Sequence, residues 1–456
     1  STPRSAAAAD APTKMALMMN ILSKNDSSKN NHAYSLDTIR GMRDQLSSLE
    51  KPILAGVQLE RPGAFEAMKN LFGLKITTKT TKWKHAEFLI KIWLIFHKIP
   101  SLVDGSFVDR FTRQSNELNH DLDTYIGVMT DMSGLYRDNT GPTSVAAARE
   151  AAAEFGASHG FRVEVIEADH QNRPDVGVNL ARQWYDQGMD LILDVPTSSV
   201  GLAVSGVARE KNKAYINVGS ATADMTGAQC SPNTIHWAYD TYMLARSTGG
   251  ATVRAGGDTW FFITADYAFG HALERDTANF VRNSGGRILG QVRTPFPGTT
   301  DFSSFLLQAQ ASRAKVIGLA NAGADTQNCV KQAAEFGLTR RGIKLASLLL
   351  FVNDVHGMGL QAAQGLVCTE SFYWDMNDKT RAWTERMLRR VPTNYPNMIH
   401  AGCYSGALHF LKTVAAMGVP AAKASGLDLV NRMKAQPSED DLFGKATIRP
   451  DGRRLI

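Results

Sequence analysis

The stretch Tyr125-Ile-Gly-Val-Met-Thr-Asp-Met-Ser-Gly-Leu-Tyr136 decides the fold. Its first half, up to Thr130, is a largely apolar run of the length expected for a β-strand buried on both faces. Turn-forming residues follow at once, and Ser144–His159 then shows the amphipathic pattern of a helix. From Thr124 onward this order of apolar run, polar loop and helical pattern repeats, which predicts parallel sheets covered by helices.

The alternation occurs in two sets, which are separated by the turn-rich segment Gly219–Gly257. The predicted strands of the first set are Tyr125–Thr130, Val163–Ala168, Leu191–Val195 and Ala214–Val218. Those of the second set are Trp260–Thr264, Ile288–Val292, Val316–Ala320, Leu345–Val352 and Leu366–Phe372. Further helical patterns cover Val176–Gln187, Val200–Lys211, His271–Ser284, Phe302–Ala311 and Thr326–Phe336. The sequence therefore predicts an α/β fold of two doubly wound parallel-sheet lobes with a central cleft.

Residues 1–123 have a different character and predict a mostly helical or partly disordered extension of unknown function. Asn, Ser and Lys cluster at Ser23–His32, as in loops and disordered segments. The most apolar stretch, Phe88–Phe96, is short and contains Lys91, so it fits a buried or membrane-surface helix better than a membrane span. We recognise no secretory signal at the amino terminus.

The composition and the motifs argue against several classes of protein. Of the 456 residues 43% are hydrophobic and 21% charged, and the net charge of +6 is not gathered into a basic stripe, so a nucleic-acid partner is not expected. The four cysteines, Cys230, Cys329, Cys368 and Cys403, lack metal-site spacing. We therefore expect no metal and no cofactor. In the absence of a nucleophile elbow or a phosphate-binding loop, we also expect no enzymatic activity.

Candidate ligand-binding residues lie in the loops after the predicted strands, because ligands of open α/β sheets bind at the carboxyl ends of strands. The first set offers small and hydroxyl-bearing residues near helix N-termini, which favour a ligand carboxylate: Ser198, Ser199, Ser220, Ala221 and Thr222. The second set offers Tyr267 and Asp325, an aromatic wall and an acid that suits an ammonium group. Tyr136 and Trp374 are added from their loop positions.

Each of these residues also has a structural interpretation that the sequence leaves open. Either Ser198 or Ser199 can cap the following helix, and so can Asp325 in its own loop. The serine and threonine side chains after the fourth strand can serve the turn alone. The aromatic side chains can pack inside the lobes. The joint position of these residues after successive strands is what favours a ligand site.

Thr124–Ile456 resembles the type I solute-binding proteins of bacterial ABC transporters, in the branch that binds leucine, isoleucine and valine or aromatic acids. The resemblance is carried, in the expected order, by Tyr125–Leu135, Ala168–Asp175, Ala208–Lys213, Gly219–Asp224, Ser231–Thr234, Thr264–Gly270, Asp301–Phe305 and Ala333–Gly337. Residues 1–123 have no counterpart in the family pattern, and family members usually continue beyond the position of Ile456.

The resemblance implies a two-lobed clamp with a hinge. Residues 124–239 and 375–440 would form the first lobe, and residues 240–374 with 441–456, including the hairpin at Arg449-Pro-Asp-Gly452, the second. Serine and threonine loops of the first lobe would hold the ligand carboxylate. The protein would be the periplasmic substrate-binding component of an ABC importer, capturing a branched-chain amino acid or an aromatic acid by hinge closure. A membrane permease would then be its partner.

Two other functions remain open at this level. A ligand-sensing regulatory protein would use the same clamp without a transporter, and the extension at residues 1–123 favours it. A nucleotide-dependent enzyme is suggested by the Gly-x-Gly-x-x-Ala string in Gly357–Ala362. Asn353–His356 separates this string from the preceding apolar run, whereas the dinucleotide fingerprint requires the turn directly after a strand.

Overall fold

The computed structural model describes residues 123–159 and 162–456. The extension predicted for residues 1–123, including the segment Phe88–Phe96, thus lies almost wholly outside the described residues. Two parallel sheets dominate the described chain. The first has the strand order β2-β1-β3-β4-β5, and its strands are β1 (Asp123–Thr130), β2 (Arg162–Asp169), β3 (Leu191–Asp194), β4 (Ala214–Asn217) and β5 (Thr234–His236).

Helices cover both faces of the first sheet. They are α1 (Gly141–His159), α2 (Pro174–Asp186) and α3 (Ser198–Glu210), and later in the chain α11 (Asp378–Arg390), α12 (Met398–Met417), α13 (Val419–Ala424) and α14 (Gly426–Lys434). Side chains of α1 and α12 pack with Ile126 and Leu193 on one face. Those of α2 and α3 pack with Ile192 and Tyr215 on the other. The four-residue strands β3 and β4 are consequently buried throughout, as their apolar sequences predict.

The second sheet has the order β7-β6-β8-β9, with β6 (Thr259–Ala265), β7 (Arg287–Thr294), β8 (Val316–Ala320) and β9 (Lys344–Ser347), all parallel. Its helices are α6 (Ala268–Asn283), α7 (Ser303–Ala311), α8 (Ala324–Glu335), α9 (Val352–Met358) and α10 (Leu360–Ala363). The chain reaches this sheet through α4 (Thr241–Leu244), one π-helical turn (Ala245–Gly249) and α5 (Gly250–Arg254). Two 3₁₀ turns, Ala223–Thr226 and Thr339–Arg341, complete the helical elements of the described ranges.

The predicted α/β fold with two parallel sheets is confirmed, but three strand assignments were wrong. The predicted strand Leu366–Phe372 is not a strand, and the side chain of Ser371 in this segment donates from Oγ to Ala238 O at 3.3 Å. The prediction Leu345–Val352 was too long, since β9 ends at Ser347. The three-residue strand β5 was missed, because so short a run carries no periodicity.

The carboxyl-terminal hairpin contacts the first sheet, whereas the resemblance placed residues 441–456 in the second lobe. Strands β10 (Ser438–Asp440), β11 (Gly444–Ile448) and β12 (Arg454–Leu455) form a small antiparallel sheet. Next to it, His236 N donates to Gly452 O at 2.9 Å, and Arg453 forms an isolated bridge with His236. Gly452 has a φ of 93°, and a Cβ there would lie 2.4 Å from Thr234 O, so only glycine allows this approach.

Candidate functional site

A cavity of about 280 Å³, part of it open to solvent, lies where loops of the two sheets meet. Loops after strands of the first sheet contribute Tyr136, Asn139, Thr140, Pro196, Gly219, Ala221 and Tyr239. Those of the second sheet contribute Tyr267, Phe269, Ala322, Leu349 and Phe351, and Ile399 comes from the start of α12. The carboxyl ends of both sheets therefore share one largely apolar cavity, a common arrangement for small-molecule sites.

The predicted hydroxyl residues form a connected frame beside this cavity. Ser198, the first residue of α3, accepts a hydrogen bond from Thr222 N at 3.2 Å. Ser220 donates its hydroxyl to Val195 O, and its own backbone is held by Asn217, whose Nδ2 donates to Ser220 O at 2.7 Å. The hydroxyl of Thr222 caps the 3₁₀ turn that follows, because it accepts a hydrogen bond from Asp224 N. These hydroxyls thus fix the loops after β3 and β4 at defined positions.

A second buried network holds the loop that carries Tyr136. The carboxylate of Asp131, at the end of β1, accepts from Tyr136 N at 2.9 Å and from Asn172 Nδ2 at 2.7 Å. Oδ1 of the same Asn172 accepts a hydrogen bond from the hydroxyl of Thr197. Thr197 immediately precedes α3, so the loops after β1, β2 and β3 are joined by side-chain hydrogen bonds in a protected environment.

An aromatic cluster closes the cavity where the two sheets approach each other. The hydroxyl groups of Tyr136 and Tyr267 lie 2.6 Å apart and share a hydrogen bond. The ring of Tyr267 stacks on Phe296, with centroids 3.8 Å apart and an interplanar angle of 15°. Burial raises the pKa of both tyrosines above the ordinary value, so both hydroxyls stay protonated at neutral pH. Phe296 was not among the predicted residues.

Other direct contacts join the two sets of loops. Ala324 N donates to Leu135 O at 3.3 Å, and a Cβ at Gly323 would lie 2.6 Å from that oxygen, so this approach also requires glycine. An ion pair also joins them, because the guanidinium of Arg275 from α6 lies 3.0 Å from the carboxylate of Asp224. The loops of the two sheets therefore contact each other directly beside the cavity.

Asp325 lies in the first turn of α8 and is 4% exposed. Its charge is one of the causes that raise the pKa of Tyr136 and of Tyr267. Burial raises the pKa of Asp325 itself to about 7, and its Oδ2 has no hydrogen-bond partner. An unpaired buried carboxyl oxygen is costly, so this group is suited to meet a ligand.

The structure brings most, but not all, of the predicted residues together. Tyr136, Ala221 and Tyr267 line the cavity. Residues that stand directly behind or beside the lining are Ser198, Ser220, Thr222 and Asp325. Ser199 is the partly exposed second residue of α3. Trp374 is outside the lining; its ring packs on Tyr395 with centroids 4.7 Å apart. Their roles in ligand binding stay predictions.

Several residues of the lining were not predicted from the sequence, for identifiable reasons. Tyr239 follows β5, the strand that was not recognised, and Phe351 lies in the segment wrongly extended as part of β9. Pro196 and Gly219 directly follow predicted strands, so position alone was a signal for both. Ile399 belongs to a helix far along the chain, and no local pattern indicates that it reaches the cavity.

Within residues 123–159 and 162–456, no group of three or more His, Cys, Asp or Glu side chains is arranged to hold a metal ion. The string Gly357–Ala362 runs from the end of α9 into α10, well after β9 has ended, so it does not form the strand–turn–helix of a dinucleotide site. In the same described part, no helix has both the length and the apolarity to cross a membrane.

Comparisons with solved structures find close relatives. A periplasmic binding protein from Burkholderia mallei is 45% identical, with a TM-score of 0.70 and coverage of 73% of this chain and 87% of its own. A branched chain amino acid ABC transporter periplasmic ligand-binding protein from Burkholderia xenovorans is 35% identical, with a TM-score of 0.63 and coverage of 73% and 88%.

More distant structures share the fold. A solute binding protein of an ABC transporter from R. palustris, in complex with benzoate, is 18% identical, with a TM-score of 0.65 and coverage of 73% and 91%. No curated protein sequence matches.

The sequence model of the periplasmic binding protein family matches residues 123–456, which include every residue of the two sheets and of the cavity. The chain belongs to the periplasmic binding protein family.

Proposed function

We propose that this protein is the periplasmic substrate-binding component of an ABC importer. It captures a small carboxylate-bearing ligand, a branched-chain amino acid or an aromatic acid, by closing a hinge between two lobes. The observation that carries the proposal is one cavity to which the carboxyl ends of both sheets contribute side chains. A cavity divided between two lobes opens and closes with the hinge, which suits capture and release.

The proposed carboxylate site is the N-terminus of α3 together with the loop after β4. The first N–H groups of a helix have no partner within the helix and favour an anion. Ser198 and Ser199 open this helix, and Thr222 lies next to Ser198. Because Ser220 uses its hydroxyl within the frame, we assign it the role of shaping the loop, with Ala221 as the lining residue.

The remainder of the ligand is proposed to lie against the aromatic side of the cavity. Tyr136, Tyr239, Tyr267, Phe269 and Phe351 supply apolar area there, and ring faces suit a branched aliphatic group as well as an aromatic one. Two lines of support come from relatives: the Burkholderia xenovorans protein is named for branched chain amino acids, and the R. palustris structure contains benzoate.

The division into lobes is proposed with one change from the sequence analysis. Residues 124–239 with 375–440 form the first lobe, and residues 240–374 the second. Residues 441–456 are assigned to the first lobe, because Arg453 and Gly452 bond to β5 and its neighbours. Catalysis is not part of the proposal, since a binding protein of this kind passes its ligand unchanged to a membrane permease.

A thermal-shift screen against amino acids and aromatic carboxylates tests the binding function. A ligand at ~100 times its Kd adds about 2.7 kcal/mol to the stability of the folded state, which is readily measured. We expect Ala221→Leu, which fills the cavity, to remove the shift, and Ala421→Leu on the exposed face of α13 to retain it. If no compound of either class stabilises the protein, the proposed ligand classes are wrong.

The importer role has its own test, because a ligand-sensing regulator could use the same clamp. Cells that lack the protein should lose uptake of the ligand found in the screen, and the wild-type chain should restore it while Ala221→Leu does not. Unchanged uptake in the deletion strain, together with tight binding by the purified protein, would favour the sensing role that the extension at residues 1–123 first suggested.

A further inference from the structure

The polar side chains that line the cavity differ in whether they already have a hydrogen-bond partner. Each hydroxyl group of the lining bonds within the protein; the side chains are those of Tyr136, Thr140, Tyr239 and Tyr267. Asn139 is the other polar side chain of this lining in the described part of the chain, and it is 2% exposed. Its Nδ2 is shielded from solvent and has no partner. The amide of Asn139 is therefore the lining group that is left for a ligand.

Two hydrogen bonds hold the backbone of Asn139. Its N–H donates to Tyr136 O at 3.0 Å, and its carbonyl oxygen accepts a hydrogen bond from Asn397 Nδ2 at 2.9 Å. Asn397 caps α12 through Oδ1, and its Nδ2 also donates to Asn353 Oδ1 at 2.6 Å. A loop that is fixed in this way presents its side chain at a defined position, which lowers the entropic cost of recognising a ligand group.

The polar neighbour of this amide within the protein is Asp354. Burial raises the pKa of Asp354, and an interaction with the side chain of Asn139 is one of the smaller effects that lower it. Both oxygens of this carboxyl group already accept other hydrogen bonds, Oδ1 from Gln327 Nε2 at 3.0 Å and Oδ2 from Phe351 N at 2.9 Å. Asp354 thus leaves Nδ2 of Asn139 without a hydrogen bond of normal geometry.

Asn139 belongs to a different loop from the proposed carboxylate site. That site is formed by the start of α3 and the loop after β4, whereas Asn139 lies in the loop after β1. Phe351, from the loop after β9, lines the same cavity, and its N–H bonds to the acid beside Asn139. With the carboxylate at α3, the ligand group that meets Asn139 is part of the remainder of the ligand.

A hydroxyl group on that remainder matches the amide of Asn139. An amide offers both a donor and an acceptor, and a hydroxyl can accept from Nδ2 or donate to Oδ1. A hydrocarbon group of the same size would enclose the amide without giving it a partner, and a buried amide without a partner is costly. A site of this kind therefore discriminates against a ligand that lacks the hydroxyl.

We propose that Asn139 is a specificity-determining residue, which bonds to a hydroxyl group on the apolar part of the ligand. The inference rests on the proposed binding function and narrows its ligand class to hydroxylated acids, such as a phenol-bearing aromatic acid or a hydroxyamino acid. The protein should accordingly bind such an acid more tightly than its hydrocarbon counterpart.

The experiment compares ligands that differ only in a hydroxyl group in place of a methyl group, by calorimetric titration of the wild-type protein. The pairs are 4-hydroxybenzoate with 4-methylbenzoate, 3-hydroxybenzoate with 3-methylbenzoate, L-tyrosine with 4-methyl-L-phenylalanine, and L-threonine with L-valine. We expect the hydroxylated member of at least one pair to bind roughly tenfold more tightly, because its partner leaves the amide of Asn139 unpaired.

Asn139→Leu removes the amide but keeps a side chain of similar size. It should reduce that preference to less than about twofold through weaker binding of the hydroxylated ligand, while the methyl-bearing ligand binds at least as tightly as to the wild type. A residue that only supports the loop would instead weaken both ligands equally. Asn431→Leu, on the exposed face of α14, is the control and should change neither affinity.

The outcomes separate this inference from the function on which it rests. If ligands bind but no hydroxylated member is preferred, or if Asn139→Leu weakens both members of a pair equally, the protein binds carboxylates but the role proposed for Asn139 is wrong. A wider screen that yields only ligands without a hydroxyl group has the same meaning. If no pair binds and the wider screen is also negative, the binding function fails and the inference with it. Asn139→Ala, with the same expected result, replaces Asn139→Leu if that variant does not fold.

Discussion

The hydroxyl groups after strands of the first sheet and the acid and amide groups after β8 of the second sheet differ in their hydrogen bonding. Beside the first sheet, the hydroxyls of Ser198, Ser220 and Thr222 all take part in hydrogen bonds within the frame. Beside the second sheet, Oδ2 of Asp325 and Nδ2 of Asn321 are buried without a partner. The three hydroxyls thus have partners without a ligand, whereas Asp325 and Asn321 each keep an unpaired atom. On the first sheet's side, Nδ2 of Asn139, which lines the cavity, is unpaired as well.

This difference suggests a division of labour between the lobes. A frame whose polar groups are satisfied is rigid and presents a preformed carboxylate site. Unpaired atoms on the other lobe gain a partner only when a ligand is enclosed, so closure and ligand recognition are coupled there. We therefore expect substitutions around the first sheet to lower the free energy of unfolding. Substitutions around the second sheet should lower the affinity for the ligand.

The largest effect is expected from Asp240→Ala beside the first sheet. The carboxylate of Asp240 lies 2.5 Å from Nε of Arg453, and both side chains are almost fully buried. Removing the acid leaves a buried guanidinium without its partner, which should lower the free energy of unfolding by about 3–5 kcal/mol. Denaturant unfolding measures the loss. Asp441→Ala, which removes an exposed pair with Lys379, is the control and should have little effect.

A second large effect concerns acid stability. His170, after β2, is buried, and burial lowers its pKa to about 4. The pKa of His170 in the folded state lies below its value in the unfolded chain. Its contribution to the free energy of unfolding is therefore complete above pH 6.5 and is lost as the pH falls towards 4. The stability of the wild type should therefore fall through this interval, and His170→Gln should reduce that slope by about 1.4 kcal/mol per pH unit. An unchanged slope would show that the ring is solvated in the folded state.

The sequence predicted the frame better than it predicted the cavity. Strands β1, β3 and β4 are short apolar runs followed by polar loops, so both their positions and the candidate residues Ser198, Ser220 and Thr222 follow from local pattern. Local pattern does not say where a hydroxyl points. Only the structure shows that Ser220 uses its hydroxyl within the frame, in a hydrogen bond to Val195 O.

The part of the cavity that the second lobe forms was less predictable, because it depends on contacts between residues that are far apart in the sequence. Phe296 lies far along the chain from Tyr267, yet their rings stack. Nothing in the sequence near Leu135 indicates that the carbonyl oxygen of Leu135 approaches residue 323 so closely that only glycine fits there. The first contact joins two loops of one lobe and the second joins loops of both lobes, whereas single-sequence periodicity describes only one element at a time.

A smaller effect is expected from Tyr267→Phe in the second lobe. The substitution removes the 2.6 Å hydrogen bond to the hydroxyl of Tyr136 but keeps the ring that stacks on Phe296. One neutral hydrogen bond is worth about 0.5–1.5 kcal/mol, so ligand affinity should fall by roughly 2- to 12-fold while unfolding changes little. Calorimetric titration tests this, with Tyr242→Phe on the surface as the control. A loss of stability without a loss of affinity would contradict the division between the lobes.

The smallest effect is expected from Trp374→Phe, which tests a residue that the sequence placed in the site and the structure places elsewhere. Trp374 is partly exposed and packs on Tyr395, outside the cavity lining. A phenylalanine keeps an aromatic contact there, so we expect ligand affinity to change by less than ~2-fold, within the range of a surface substitution. A reduction beyond roughly tenfold, more than 1 kcal/mol, would mean that Trp374 reaches the ligand in another state of the clamp. The second lobe would then recognise its ligand before closure as well as after it, because a residue outside the closed cavity can contact the ligand only while the clamp is open.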